Sequence, residues 1–170
     1  MTARAYVGVG SNIEPEVNVA AALRRLAELA RVAAISTFYR TPAEGRPDQP
    51  DYYNGVVALD TDLGPAALHA ALRRIEAALG RRRSADRHAA RPIDLDLVVY
   101  GDQVIAEEGL VVPDPDITRR AFLAVPLCEL SPDLCLPGSG RAVSQLAARL
   151  PRAGMEPLGE YTRRLRESVP

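Results

Sequence analysis

The chain has 170 residues, of which 47% are hydrophobic and 25% are charged, and its formal net charge is -1. These values predict a single globular domain with its own hydrophobic core, and they argue against a general affinity for nucleic acid. No apolar run approaches the roughly 20 residues that cross a membrane, and the N-terminus lacks a signal-peptide pattern, so we expect a cytoplasmic protein with no membrane partner.

The 21 basic residues are all arginines, which excludes two kinds of chemistry. The phosphate-binding P-loop requires a lysine, and so does Schiff-base catalysis. Any phosphate site must therefore use arginine, whose planar guanidinium makes bidentate contacts. The two cysteines, Cys128 and Cys135, could form a disulfide but fit no zinc-binding spacing, and we expect both to be buried as small apolar side chains.

Hydrophobic periodicity and turn residues divide the chain into alternating strands and helices. Asn18 is the expected N-cap of the first helix, and Gly64 with Pro65 opens the second. In chain order we predict a strand over 5–10, a helix from 18 to about 30, a strand over 32–39, a polar loop over 41–52, a strand over 53–59, a helix over 64–80, a basic loop over 81–91 and an apolar strand that ends near 100. Later segments predict short strands near 103–106 and 110–112, a helical turn over 118–122, a short helix over 143–150 and a loosely packed tail from 151.

This order predicts an α+β, ferredoxin-like βαββαβ fold, with helices packed on an antiparallel sheet. We expect one catalytic domain over 1–150, with two helices on one face of its sheet, and a short C-terminal extension over 151–170. The fold alone does not identify a function, because many activities share it.

Asp94 and Asp96 lie two residues apart in the otherwise apolar strand. Alternate strand residues share a face, so both carboxylates point one way while Ile93, Leu95 and Leu97 point into the core. Paired carboxylates repel each other, and a Mg²⁺ ion would relieve the repulsion because it prefers oxygen ligands. The alternative is an edge strand whose aspartates discourage aggregation.

Two neighbouring segments add to this pattern. The arginine-rich loop over 81–91 would normally be a solvated charge run, but beside two metal-binding carboxylates it favours a polyphosphate site. Glu76 is expected to be exposed and paired with Arg73. The proline-rich loop over 41–52 leads into Tyr52 and Asn54, which could stack on and hydrogen-bond to a flat heteroaromatic ring or could simply be structural.

Several motifs follow one another in a fixed order along most of the chain. They are Gly-Ser-Asn at 10–12, Phe-Tyr-Arg-Thr-Pro at 38–42, Asp-Gln-Pro-Asp-Tyr-x-Asn at 48–54, Arg-x-x-Asp-Leu-Asp at 91–96 and Val-Pro-x-Pro-x-x-x-x-Arg-x-Phe at 112–122. In this combination the chain, from about 5 to 132, resembles the 6-hydroxymethyl-7,8-dihydropterin pyrophosphokinase family of folate biosynthesis. The resemblance implies transfer of diphosphate from ATP to the pterin hydroxymethyl group, with release of AMP and with two Mg²⁺ ions.

The resemblance also implies residue roles. Asp94 and Asp96 would bind the metal and, with Arg81 and Arg91, form the catalytic group, and Asp96 could accept the hydroxyl proton. ATP would be bound by Glu76, Arg81, Arg83, Arg87, His88, Arg91, Ile93, Asp114 and Arg120. The pterin would be bound by Thr41, Pro42, Ala43, Tyr52, Asn54, Asp94 and Phe122.

The sequence departs from the family pattern at a few positions. Asp114 stands where many relatives have a phosphate-binding histidine, His88 where tryptophan is frequent, and Glu44 where an apolar residue near the pterin is common. These changes leave open a divergent paralogue or another Mg-dependent nucleotide-using transferase. An RNA-binding ferredoxin-like domain is disfavoured, because the strand that would carry exposed aromatic residues carries aspartates. We expect a monomer.

Overall fold

The computed structural model describes all 170 residues. Its main feature is an antiparallel sheet with helices on both faces. The strands are β1 (Ala3–Ser11), β2 (Arg31–Ile35), β3 (Tyr39–Thr41), β4 (Tyr52–Thr61), β5 (Asp94–Tyr100), β6 (Ile105–Glu107), β7 (Leu110–Val112) and β8 (Glu156–Pro157). The helices are α1 (Pro15–Leu29), α2 (Pro65–Ala78), α3 (Ala121–Leu130), α4 (Val143–Arg149) and α5 (Gly159–Ser168), with one turn of 3₁₀-helix over Pro115–Thr118. The predicted ferredoxin-like α+β fold is confirmed.

The order of strands in the main sheet is β5-β1-β4-β3-β8, and β2 also pairs with β4. Gly10 of β1 lies opposite Asn54 on one side and Asp94 on the other, and Gly8 lies opposite Asp96. The C-terminal half of β1 is therefore flanked by the first residues of β4 and β5. Because β5 is at the edge of the sheet, groups from α2 can reach its aspartates from the side.

Two hydrophobic clusters cover the two faces of the sheet. Helices α1, α2 and α5 pack on one face against Val7, Leu59 and Leu95. Helices α3 and α4 pack on the other against Val56 and Val98. The two helices expected on one face, α1 and α2, lie there together, and α5 joins them. The helices on the second face were not placed by the sequence. Helix α3 is apolar on nearly all sides, so it lacks the helical periodicity from which a full helix could have been predicted.

Several boundaries also differ from the prediction. Helix α1 begins at Pro15 rather than after Asn18, whose side chain donates to the carbonyl of Ile13 at 2.6 Å. The predicted strand over 32–39 is two strands, because regular pairing with β4 is interrupted at Ser36, whose hydroxyl accepts the backbone N–H of Val56 at 2.9 Å. Cys128 is half-buried and Cys135 is exposed, so the expectation that both are buried is wrong. No helix combines the length and apolarity needed to cross a membrane.

The C-terminal segment is packed rather than loose. Tyr161 and Leu165 of α5 are buried in the core beside α1, and the Tyr161 hydroxyl donates to the carbonyl of Glu16 at 2.9 Å. The backbone N–H of Phe38 donates to the Thr162 hydroxyl at 2.9 Å. The packing of α5 could not be predicted from the sequence, because its only two apolar residues, one turn apart, lie among arginines and glutamates.

We expect Leu165→Ala to lower the free energy of unfolding by about 3 kcal/mol, since it leaves a cavity in a closed core. Urea denaturation followed by circular dichroism would measure the change. Glu167→Ala, in the same helix but exposed and paired only with Arg163, should change stability by about 0.5 kcal/mol or less. Equal stability of the two variants would contradict the packing of α5.

Candidate active site

A cavity of about 330 Å³ opens on the α3 face of the sheet, where β1 ends and β4 and β5 begin. Its floor is the end of the sheet that α3 leaves uncovered. Its walls come from the loop over 42–51, the loop over 81–91 and the residues that lead into α3. The sheet register thus brings four separate parts of the chain to one opening.

Glycine residues of β1 make room for this floor. A β-carbon on Gly10 would lie 2.5 Å from Oδ1 of Asn54, and one on Gly8 would lie 3.2 Å from Cδ1 of Leu123. Glycine inside a strand commonly marks a close approach of another group. This signal was present in the sequence and could have predicted the floor of the cavity.

Asp94 and Asp96 project from β5 into the cavity, while Ile93, Leu95 and Leu97 are buried on the opposite face. The predicted division of this strand into two faces is confirmed. Both oxygens of Asp94 contact arginines, with Arg81 Nη1 at 2.7 Å and Arg91 Nη1 at 3.3 Å.

Asp96 has weaker contacts with arginines than Asp94 has. Its nearest partner is Arg73, whose Nη2 lies 3.9 Å from Oδ1, and its side chain is 44% exposed to the cavity. Desolvation, and then the like charges of Asp94 and Asp114, raise the pKa of Asp96. Strand β5 is an edge strand, as the aggregation alternative requires, but its aspartates face an arginine-lined cavity rather than an open edge.

Glu76 is buried rather than exposed, with only 3% of its side chain accessible, so that prediction is wrong. The last turn of α2 packs beneath the basic loop, and the carboxylate forms ion pairs with Arg73 and Arg81, while Arg83 Nη2 lies at 3.4 Å. Desolvation raises the pKa of Glu76, and Arg73 and Arg81 oppose that shift. Glu76 thus anchors arginines that also face the aspartate pair.

Arg81 joins α2 to β5. Besides its ion pairs with Glu76 and Asp94, its Nη1 donates to the carbonyl of Ile93 at 3.2 Å. The side chain of Ile93 is fully buried in the core, so only its backbone can contribute to a site.

Asn12 connects the loops over 42–51 and 81–91 and is 2% exposed. Its Nδ2 donates to Gln49 Oε1 at 3.0 Å, and its Oδ1 accepts the backbone N–H of Arg91 at 2.9 Å. Gln49 also donates to the carbonyl of His88 at 2.8 Å, and Arg46 forms an ion pair with Asp86. The loops over 42–51 and 81–91 therefore contact each other directly.

The opposite end of the cavity carries amide and aromatic groups. Asn54 Nδ2 donates to the Thr41 hydroxyl at 2.8 Å, which fixes the orientation of the amide. Desolvation raises the pKa of Tyr52, so its phenol stays neutral beside the cavity. Phe122 completes this end, with the guanidinium of Arg120 5.7 Å from the centre of its ring.

Asp114 is occupied by a local structural role. Its Oδ1 accepts the backbone N–H of Asp116 at 2.9 Å and so caps the 3₁₀-helix that follows. The sequence Asp-Pro at 114–115 carries the signal, because aspartate before a proline is a favourable start of a helical turn.

The predicted site residues fall into three groups. Those that line the cavity are Thr41, Pro42, Ala43, Tyr52, Asn54, Arg87, His88, Arg91, Asp94, Asp96, Asp114, Arg120 and Phe122. Arg81 and Arg83 line a neighbouring depression together with Arg87 and Arg91. Glu76 and Ile93 lie behind these surfaces. The cavity also includes Asp116 and Leu123, which were not predicted because their positions depend on the start of α3.

The donor set suits a hard cation that shares its ligands with a substrate. No cluster of three or more His, Cys, Asp or Glu side chains forms a complete metal site. Mg²⁺, however, is commonly bound by one or two carboxylates together with substrate phosphates and water. Asp94 and Asp96 provide such a pair, and a cation between them would relieve the repulsion that, after desolvation, raises the pKa of Asp96.

Comparisons with known proteins point to one family. Residues 6–132 match the family model described as 7,8-dihydro-6-hydroxymethylpterin-pyrophosphokinase. The chain is 43% identical over 162 residues to a 2-amino-4-hydroxy-6-hydroxymethyldihydropteridine pyrophosphokinase of Pseudomonas aeruginosa, covering 93% of this chain and 98% of that protein. A protein of the same description from Methylorubrum extorquens is 42% identical over 90% of this chain and 97% of its own length.

Among solved structures, the chain is similar to Plasmodium falciparum HPPK-DHPS, with a TM-score of 0.71 and 14% identity. The match covers 88% of this chain and 43% of that one, so the chain spans less than half of the solved protein. At this identity the similarity concerns the fold.

We expect Glu76→Gln to lower the free energy of unfolding by about 2 kcal/mol, because it removes the charge that offsets buried guanidinium groups. Glu28→Gln, on an exposed position of α1, is the matched control and should be nearly neutral. Urea denaturation would compare the two, and equal stability would contradict the role of Glu76 as an anchor.

Proposed function

The chain belongs to the 7,8-dihydro-6-hydroxymethylpterin-pyrophosphokinase family, and we propose that the cavity at the start of β4 and β5 is where it binds both substrates of that reaction. The activity of the chain is transfer of diphosphate from ATP to 6-hydroxymethyl-7,8-dihydropterin in folate synthesis, and the other product is AMP. The proposed location rests on the two ends of the cavity. One end holds the aspartate pair with its arginines, and the other holds aromatic and amide groups.

The reaction requires positioning and charge neutralisation more than covalent catalysis. The pterin hydroxyl oxygen forms a bond to the β-phosphorus of ATP, and the bond from that phosphorus to the oxygen shared with the α-phosphate breaks. AMP leaves with the electron pair, and the hydroxyl loses its proton. The cavity must therefore hold the hydroxyl and the β-phosphate in line while it binds a highly charged triphosphate.

We propose that the pterin lies at the end formed by Tyr52, Asn54 and Phe122. The phenol and phenyl rings can stack on the pterin, and the oriented amide of Asn54 offers both a donor and an acceptor to its ring edge. Thr41 supports this amide, and Pro42 and Ala43 form the rim.

We propose that the triphosphate lies along the basic loop. Arg81 and Arg91 contact Asp94 in this structure, and both can exchange the carboxylate for phosphate oxygens when ATP binds. Arg83, Arg87 and His88 extend the positive surface, and Glu76 holds Arg81 from behind. The backbone of Ile93 and the carboxylate of Asp114 complete the predicted nucleotide contacts. Arg120 was also predicted to bind ATP, but its guanidinium lies beside Phe122, and we place it with the pterin.

We propose that Asp94 and Asp96 bind two Mg²⁺ ions. Bound metal would neutralise phosphate charge and lower the pKa of the pterin hydroxyl. Asp96 is the better candidate to accept the hydroxyl proton, because both oxygens of Asp94 already contact arginines whereas the nearest cation to Asp96 is 3.9 Å away.

We expect Asp94→Asn and Asp96→Asn to lower the rate of pterin-dependent AMP release by roughly 100-fold or more, because each removes charge stabilisation at the reacting phosphate. Asp102→Asn, at an exposed turn after β5, should match the wild-type rate. Chelation of divalent metal should abolish the wild-type activity, and added Mg²⁺ should restore it. Near-wild-type turnover of Asp96→Asn with Mg²⁺ bound would exclude Asp96 as the proton acceptor.

We also propose that the protein is a cytoplasmic monomer. Its two free cysteines are typical of a reducing compartment. Light scattering should return the mass of one chain, 18.3 kDa, and twice that mass would contradict the proposal.

A further inference from the structure

A tight turn over 43–46 crosses the mouth of the cavity. The backbone N–H of Arg46 donates to the carbonyl of Ala43 at 3.4 Å, and Gly45 adopts a φ of 69°. Glycine favours this left-handed conformation, which other residues adopt at a cost. Glu44 therefore stands at the corner of a defined turn, and it lines the cavity.

Glu44 links this turn to the start of α3. Its Oε2 lies 3.3 Å from Nη2 of Arg120, the residue immediately before the helix. On the other side of the guanidinium, Oδ2 of Asp116 lies 3.6 Å from Nη1. Arg120 is thus held between two carboxylates that come from different segments of the chain.

The guanidinium that Glu44 holds also lies over an aromatic ring. Its central carbon is 5.7 Å from the centre of the Phe122 ring, within the range of a cation–π contact. Phe122 and Arg120 both line the cavity. The ion pair therefore helps to fix a cation and a ring at the end of the cavity that is opposite to the basic loop.

The charges around Arg120 favour this fixed position of its guanidinium. Three carboxylates face Arg120 in this region, those of Glu44, Asp114 and Asp116. Arg119 also binds Asp116, with Nη2 at 2.8 Å from Oδ1, which leaves Glu44 as the carboxylate on the loop side. Loss of the Glu44 charge would leave Arg120 held from the Asp116 side alone.

We propose that Glu44 is a positioning residue for the pterin: through Arg120 it holds the 43–46 turn against the start of α3 and keeps the guanidinium over Phe122. The inference rests on the proposed function, since it assumes that the pterin lies beside Phe122. Glu44 itself need not touch the substrate. Its removal should weaken pterin binding and leave the chemical step and the nucleotide affinity nearly unchanged.

The expected effect is modest because the pair is partly exposed, with 54% of the Glu44 side chain and 39% of the Arg120 side chain accessible. An exposed ion pair typically changes an equilibrium by up to about fivefold. We therefore expect Glu44→Gln to raise KM for the pterin about three- to fivefold, with kcat and KM for ATP within about twofold of wild type. About 0.5 M salt should remove most of the difference, because it screens exposed charges.

The test is a double-mutant cycle on pterin-dependent AMP release with wild type, Glu44→Gln, Arg120→Gln and the double variant. Glu44→Gln should have no further effect once Arg120 is replaced, because Glu44 acts through it. Glu44→Asp, which keeps the charge, should fall between wild type and Glu44→Gln. Glu160→Gln, which breaks a similar exposed pair with Arg163 on α5, is the control and should leave KM for the pterin unchanged.

The possible results separate the two proposals. A wild-type protein that releases no AMP in response to the pterin would contradict the proposed function itself. An active wild type whose KM for the pterin is unchanged by Glu44→Gln would overturn the role of Glu44. That role would also be overturned if Glu44→Gln had its full effect in the Arg120→Gln background, or if it raised KM for both substrates equally.

Discussion

The repulsion between Asp94 and Asp96 is the constraint on which the rest of the site depends. Two carboxylates on one face of an edge strand are unfavourable without cations nearby. The chain meets this need with arginines from two directions: Arg81 and Arg91 contact Asp94 from the basic loop, and Arg73 approaches Asp96 from α2. Buried Glu76 in turn holds Arg73 and Arg81, so a carboxylate on one side of the sheet edge organises the charges on the other.

These charges are accessible to a substrate because one end of the sheet face that carries α3 is left uncovered. Helix α3 covers Val56 and Val98, but it begins too far along the sheet to cover Asn54, Asp94 and Gly10. Gly8 and Gly10 keep the floor free of side chains between β4 and β5. The result is a cavity in which the charged end lies on β5 and the end with Tyr52 and Asn54 lies on β4, the two strands that flank β1. A reaction between a triphosphate and a flat alcohol requires two such ends.

The features that the sequence predicted well are local in origin. Alternation along β5 predicted the shared face of Asp94 and Asp96, because strand geometry alone determines it. The ordered motifs around Asn54, Asp94 and Phe122 indicated the family and the residues that the fold brings to one cavity.

The features that the sequence did not predict depend on tertiary packing. Helix α3 has no polar face, so its length and position on the second face could not be inferred from periodicity. The burial of Glu76 depends on how the basic loop folds over α2, and the docking of α5 depends on Tyr161 and Leu165 finding a site beside α1. The pair formed by Glu44 and Arg120 joins residues that are distant in sequence, and nothing local in the chain indicates that they meet.

We propose that Asp94 and Asp96 together form the cation site at which ATP reacts. Electron paramagnetic resonance of Mn²⁺, a probe for Mg²⁺, would test it most directly, in the presence of the pterin and an ATP analogue whose α–β bridge is a methylene group. We expect two bound ions in the wild-type complex and loss of at least one in Asp96→Asn. An unchanged number and affinity of bound ions in the variant with both aspartates replaced by asparagine would contradict the claim.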